Sequence, residues 1–149
     1  MTEQPPILVT GASGYIALHV MRQLLDAGNA VRGTLRSLDR EAELREVLGV
    51  SASSQQLEFV NADLTADAGW DAAVTGCALV VHTASPVPMS KPKHEDDLIV
   101  PAREGALRLL RAARAAGVRR VVMTSSVAAV GAGGQREEGR RYSEADWSN

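Results

Sequence analysis

The chain has 149 residues, 45% of them hydrophobic and 23% charged, with a formal net charge of −2. That is one domain with a sizeable core, which excludes fibrous and disordered classes. A pI near 5.9 leaves no electrostatic footprint for nucleic acid, and no run reaches the length of about 18 apolar residues that a membrane helix requires.

The first element is the run Ile7-Leu8-Val9-Thr10, a strand that breaks at Gly11-Ala12-Ser13-Gly14 into a helix expected over Gly14–Ala27. Gly11 permits a sharp exit from the strand, and Gly14 removes a side chain where a backbone must approach a pyrophosphate. The first turn of the helix, Tyr15 and Ile16 included, offers free N–H groups and the positive end of the helix dipole to an anion. Ala17 stands where a third glycine would fall and is small enough for close helix–strand packing. Gly28-Asn29 ends the helix.

A second strand, Ala30–Leu35, leads into Arg36-Ser37 with no acid before Asp39. Enzymes selective for NAD place an acid there to hold the ribose hydroxyls, whereas an arginine pairs with a 2′-phosphate. Arg36 therefore favours NADP, with Arg40 as an optional second contact. A helix over Asp39–Leu48 and a third strand, Gln56–Asn61, bring the chain to Asp63-Leu64, where a carboxylate can accept from an adenine amino group beside an apolar wall. An N-cap for the next helix, expected over Ala66–Val74, is the other use of Asp63.

Cys77, the one cysteine, excludes an intrachain disulfide and reads as a small core residue. With a polar, acidic N-terminus in place of a leader pattern, the expected location is cytoplasmic. The fourth strand, Leu79–His82, ends in Thr83-Ala84-Ser85-Pro86, small residues that leave room for a ribose and nicotinamide. His82 reads as a satisfied strand-end histidine, since the three histidines lack metal-ligand spacing. Val87, Pro88 and Met89 would extend an apolar wall toward a hydrophobic carbonyl substrate.

A long helix within Glu95–Ala116 carries Leu98, Leu107, Leu109 and Leu110 with Arg108, Arg111 and Arg114. Packing on the sheet explains most of the leucines, and a homodimer through this helix stays open. The fifth strand, Arg120–Thr124, runs into Ser125 and Ser126. A hydroxyl there could donate to a substrate carbonyl, although local hydroxyl-to-backbone bonds explain one or two of the three equally well. Val130 to Gln135 reads as a glycine-rich mobile loop, and Arg136 to Asn149 as polar surface chain. The alternation predicts an α/β doubly wound parallel sheet, a Rossmann fold of strand order 3-2-1-4-5, with its ligand crevice at the carboxyl ends of strands 1 and 4.

Taken in order, Val9 to Ile16, Val31 to Arg36, Asp63-Leu64, Val81 to Pro86 and Thr124 to Ser126 resemble the extended short-chain dehydrogenase/reductase family. The similarity is greatest to its dihydroflavonol reductase and cinnamoyl-CoA reductase branch, and Tyr142 to Trp147 resembles that branch's next segment. The resemblance implies an NADP-dependent oxidoreductase that reduces a ketone or aldehyde by hydride transfer. It implies Ser126 as the catalytic serine, Arg36 on the 2′-phosphate, and Asp63 with Leu64 about the adenine. Thr10, Gly11, Ser13, Gly14, Tyr15, Ile16, Thr83, Ala84, Ser85 and Thr124 complete the implied cofactor set, with no metal.

One departure is plain. Members of this family carry Tyr-x-x-x-Lys, whereas Tyr15 and Tyr142 are followed four places on by His19 and Asp146. General acid catalysis is typically worth ~10²–10⁴-fold, so this chain is expected to bind nucleotide and turn over little. It is expected to be the N-terminal, cofactor-binding part of a longer reductase, lacking the last strands and the substrate-binding region. A non-catalytic dinucleotide-binding module and a nucleotide-sugar epimerase or dehydratase are the alternatives.

Overall fold

The computed structural model describes residues 4–86, 92–131 and 139–147. Five parallel strands form one sheet in the order β3-β2-β1-β4-β5: β1 (Ile7–Thr10), β2 (Val31–Leu35), β3 (Leu57–Asn61), β4 (Leu79–His82) and β5 (Val121–Met123). Both the strand order and the doubly wound architecture are those expected from the alternation of short apolar runs and amphipathic stretches.

Side-chain alternation along the strands sorts the core into two layers. Val9, Val31, Leu57 and Phe59 face α1 (Tyr15–Asp26) and α2 (Glu41–Leu48), which contribute Ala17, Met21, Leu25, Leu44 and Leu48. Leu8 and Val80 face α3 (Trp70–Val74) and α4 (Asp96–Ala115), which contribute Trp70, Val74, Leu109 and Ala113. Leu8, Met21 and Leu109 are wholly inaccessible, each worth about 1.5–3 kcal/mol of burial. Gly33 in β2 makes room for the turn that follows β1 and for the β3 aromatic: a Cβ there would lie 2.8 Å from both the Ala12 methyl and the Phe59 ring.

The helices depart from expectation at three places. A 3-10 turn, Leu38–Arg40, precedes α2, with Ser37 as its cap. The third helix begins at Trp70 rather than Ala66. Gly69 takes φ +90°, and a Cβ there would meet the Asn61 carbonyl oxygen at 2.2 Å, so the helical path cannot extend back through it. The chain from Asp63 to Gly69 instead folds over the end of β3, and the Trp70 indole donates to the carbonyls of Asp63 (3.0 Å) and Ala66 (3.1 Å). Finally, Val130 and Gly131 belong to a short helix, α5 (Ala128–Gly131), not to a loop; Ala132 to Gln135 lie outside the described residues.

Arg108, on α4, fixes the chain that follows β3. It turns toward the β3 exit, donating to the Leu64 carbonyl (3.0 Å) and pairing with Asp67. Leu98 and Ile99, by contrast, are exposed near the start of α4. Among the described residues, no helix is long and apolar enough to cross a membrane.

Candidate dinucleotide-binding cleft

All five strands point their carboxyl ends at the same edge, and a cleft of about 510 Å³ opens there. Nine of the sequence-predicted residues line it: Gly11, Ser13, Gly14, Arg36, Asp63, Leu64, Thr83, Ala84 and Ser85. Its size and mixed lining suit a small-molecule or cofactor site.

The floor is the turn between β1 and α1. Gly11 has φ +69°, and its amide donates to the Thr34 hydroxyl at 3.0 Å. A Cβ on Gly11 would lie 3.1 Å from the Cα and Cβ of Ala84, so the turn and the β4 exit are in close contact. Gly14 caps α1 without a side-chain bond, and the first turn carries no acid. The N–H groups and dipole of that turn are therefore unopposed at the cleft. Tyr15 and Ile16 stand exposed on the first turn rather than in the lining, and Tyr15 meets the His19 ring edge-on at 4.6 Å.

The far wall comes from β2 and β3. Arg36 is exposed at the mouth, and the Asn61 side chain holds its carbonyl oxygen at 2.8 Å. Arg40 instead pairs with Glu43 at 2.7 Å on α2. The Asp63 carboxylate accepts from both the amide and the hydroxyl of Thr65, each at 2.8 Å. Those two bonds, with a smaller contribution from the Arg36 charge, hold its carboxyl below the usual range. This is a turn-forming role rather than a cap of α3, and it leaves the carboxylate ionised at the cleft wall. Leu64 sits beside it against α4, where Gly105 makes room: a Cβ on Gly105 would lie 2.9 Å from the Leu64 Cβ.

The near wall is the β4 exit. Thr10 is fully buried beneath it, its hydroxyl bonded to the amides of Thr83 (3.2 Å) and Ala84 (3.1 Å) and to Nδ1 of His82 (2.7 Å). Thr10 thus shapes the site from below. His82 is a satisfied strand-end histidine, as its surroundings in the sequence suggest. Val87, Pro88 and Met89 lie outside the described residues.

Thr124 and Ser126 are not among the residues lining the cleft. The Thr124 amide donates to the His82 carbonyl at 3.0 Å and its hydroxyl to the same oxygen at 3.3 Å, while the Ser126 hydroxyl accepts from the Ala128 amide at 3.2 Å. The Thr124 hydroxyl thus bonds across to the β4 backbone, and only the Ser126 hydroxyl makes a local backbone bond past the end of β5. Tyr142 is likewise outside the lining, with the Arg140 guanidinium 5.2 Å above its ring. Cys77 is half-buried, and burial raises its thiol pKa, so it is a packing residue rather than a nucleophile.

Four residues that shape the site carry no motif of their own, Asn61, Trp70, Gly105 and Arg108, and Thr34 lies within Val31 to Arg36 with no role read for it. Only Asn61 had a usable signal, since adjacency of β2 and β3 places its side chain next to the residues leaving β2.

The NAD dependent epimerase/dehydratase family matches this chain over residues 7–146, and the chain belongs to it. Dihydroflavonol 4-reductase of Hordeum vulgare is 35% identical over 147 residues, covering 97% of this chain and 40% of that protein. Tetraketide alpha-pyrone reductase 1 of Arabidopsis thaliana is 40% identical over 127 residues, 83% of this chain and 38% of the relative. The yeast methylglyoxal/isovaleraldehyde reductase Gre2, solved with NADPH, superposes with a TM-score of 0.82 at 28% identity, covering 96% of this chain and 44% of that one. The chain therefore spans about two-fifths of the length of the relatives it matches.

Proposed function

We propose that this chain is the NADP(H)-binding part of a carbonyl reductase. The observation that carries the reading is a single cleft with the uncapped first turn of α1 at its floor and Arg36, with no acid at the end of β2, at its far wall. The α1 turn would hold the pyrophosphate and Arg36 the 2′-phosphate. Asp63 and Leu64 would flank the adenine, and Thr83, Ala84 and Ser85 would back the nicotinamide ribose. The bound dinucleotide supplies the hydride.

Ser126, which lies outside the cleft lining, is the proposed donor to the substrate carbonyl on the family resemblance and not on its placement. Its hydroxyl oxygen accepts from Ala128, which leaves its proton to give. Neither tyrosine lines the cleft, so no phenol among the described residues is placed to protonate a carbonyl there. Nucleotide binding is the activity expected of these residues, and a dinucleotide-binding module without catalysis of its own is the second reading, since the lining gathers cofactor-type residues and no phenol.

The test is a fluorescence titration of the chain with NADPH and NADH, alongside Arg36→Ala. Charge-assisted bonds to a phosphate are worth about 1.5–3 kcal/mol, so Arg36→Ala should weaken NADPH by roughly tenfold or more and leave NADH nearly unchanged. Equal affinity for both nucleotides in the unmodified chain would overturn the NADP assignment.

A further inference from the structure

Thr10 and His82 are register partners on β1 and β4, and both are buried. The Thr10 hydroxyl has one proton and two lone pairs. The amides of Thr83 and Ala84 both donate to it, which uses both lone pairs. Its third neighbour is His82 Nδ1 at 2.7 Å, so the hydroxyl must donate there. That nitrogen is then bare, and the ring is the neutral tautomer carrying its proton on Nε2.

We infer that His82 is a positioning residue of the dinucleotide cleft: through its bare Nδ1 it orients the Thr10 hydroxyl so that both amides of the β4 exit are anchored. The inference rests on reading the cleft as a dinucleotide site. Were Nδ1 protonated, three donors would compete for two lone pairs. The hydroxyl proton would also need a new acceptor, and the adjacent Thr10 carbonyl already accepts the Thr83 hydroxyl at 2.7 Å. One amide of Thr83 or Ala84 would be released. Ala84 is the residue packed against Gly11, so its backbone sets the separation between the glycine turn and the near wall. The strands flanking His82 place Thr10 and Met123 at its register positions, neither of them titratable, and burial favours its neutral form.

The experiment uses the 149-residue chain labelled with ¹⁵N. Ring-nitrogen correlation spectra at neutral pH should show His82 protonated at Nε2 alone. Thr10→Val removes the hydroxyl at nearly constant shape, and amide exchange at Thr83 and Ala84 should then accelerate about tenfold or more, with a comparable loss of NADPH affinity. Thr10→Ser should restore both to within about twofold, a rescue that packing alone would not produce. A ring protonated at Nδ1, or unchanged exchange in Thr10→Val, overturns the inference. Failure of the unmodified chain to bind NADPH would instead defeat the dinucleotide reading, while ring state and exchange still decide the role of His82. If Thr10→Val does not fold, the ring state of the unmodified chain decides: Nε2–H supports the inference and Nδ1–H refutes it.

Discussion

Replacing Gly105 by alanine sets two effects of known size against each other. In an ordinary helix interior the change stabilises by about 1 kcal/mol, because glycine gives up more backbone entropy on folding. Here the new methyl would lie 2.9 Å from the Leu64 Cβ, 3.1 Å from its carbonyl oxygen and 3.2 Å from its Cδ2. The first two atoms belong to the root of the side chain and to the backbone, and the Arg108 guanidinium holds that carbonyl at 3.0 Å. Neither can swing aside, so overpacking should cost about 1–3 kcal/mol, and the larger effect wins. The net loss is about 1 kcal/mol, a fall in Tm of about 2–4 °C for a chain of this size, read by circular dichroism. Because Leu64 lines the cleft, NADPH affinity should fall with it. A rise in Tm would refute the argument, since it would mean that Leu64 yields freely and that α4 does not hold the β3 exit.

Two further predictions concern charge. Arg32 donates to the carbonyls of Ala73 (2.9 Å) and Thr75 (2.7 Å) at the end of α3 and to Glu58 at 2.5 Å. Arg32→Met should cost about 2–4 kcal/mol in urea unfolding, whereas Glu58→Gln, altering a half-exposed partner, should cost no more than about 1 kcal/mol. Equal losses would mean that the ion pair, and not the carbonyl capping, carries the stabilisation. The second is a pH dependence. Burial lowers the His82 pKa in the folded chain, so as pH falls through the ordinary histidine value of about 6.5 the unfolded state takes up the proton first. Stability is thus full above that pH and declines below it, by at most about 1.4 kcal/mol per pH unit, until the folded ring titrates as well. His82→Gln should remove this component; identical slopes for the two proteins between about pH 7 and 5.5 would contradict the assignment. Asp63, held below the usual carboxylate range, acts in a separate and more acidic window, stabilising above its unfolded pKa and losing that contribution as pH falls through the folded one.

Local rules made much of this molecule legible before folding. Gly11 and Gly14 between an apolar strand and an amphipathic helix require a turn that brings backbone amides to an anion, whatever surrounds them. Strand–helix alternation dictates parallel pairing with right-handed crossovers, and the observed order β3-β2-β1-β4-β5 is one of the common doubly wound orders compatible with them. Arg36 with no neighbouring acid needed only its place at the end of β2. The start of α3 was not legible, because Ala66 to Gly69 suits a helix locally and is diverted by the Trp70 indole and by the closeness of Gly69 to the Asn61 carbonyl. The roles of Gly105 and Arg108 were hidden for the same reason: their partners lie about 40 residues away in sequence, on a loop brought against α4 by the crossover.

The sequence by itself determined the turn chemistry and the charge at the end of β2, since each depends on residues within a few positions of one another. Tertiary structure alone decided which of two nitrogens on His82 is bare, how the Asp63 carboxylate is occupied and what holds Leu64 in place. Those outcomes depend on how many donors and acceptors meet at one buried point, a count that exists only once distant segments are packed together.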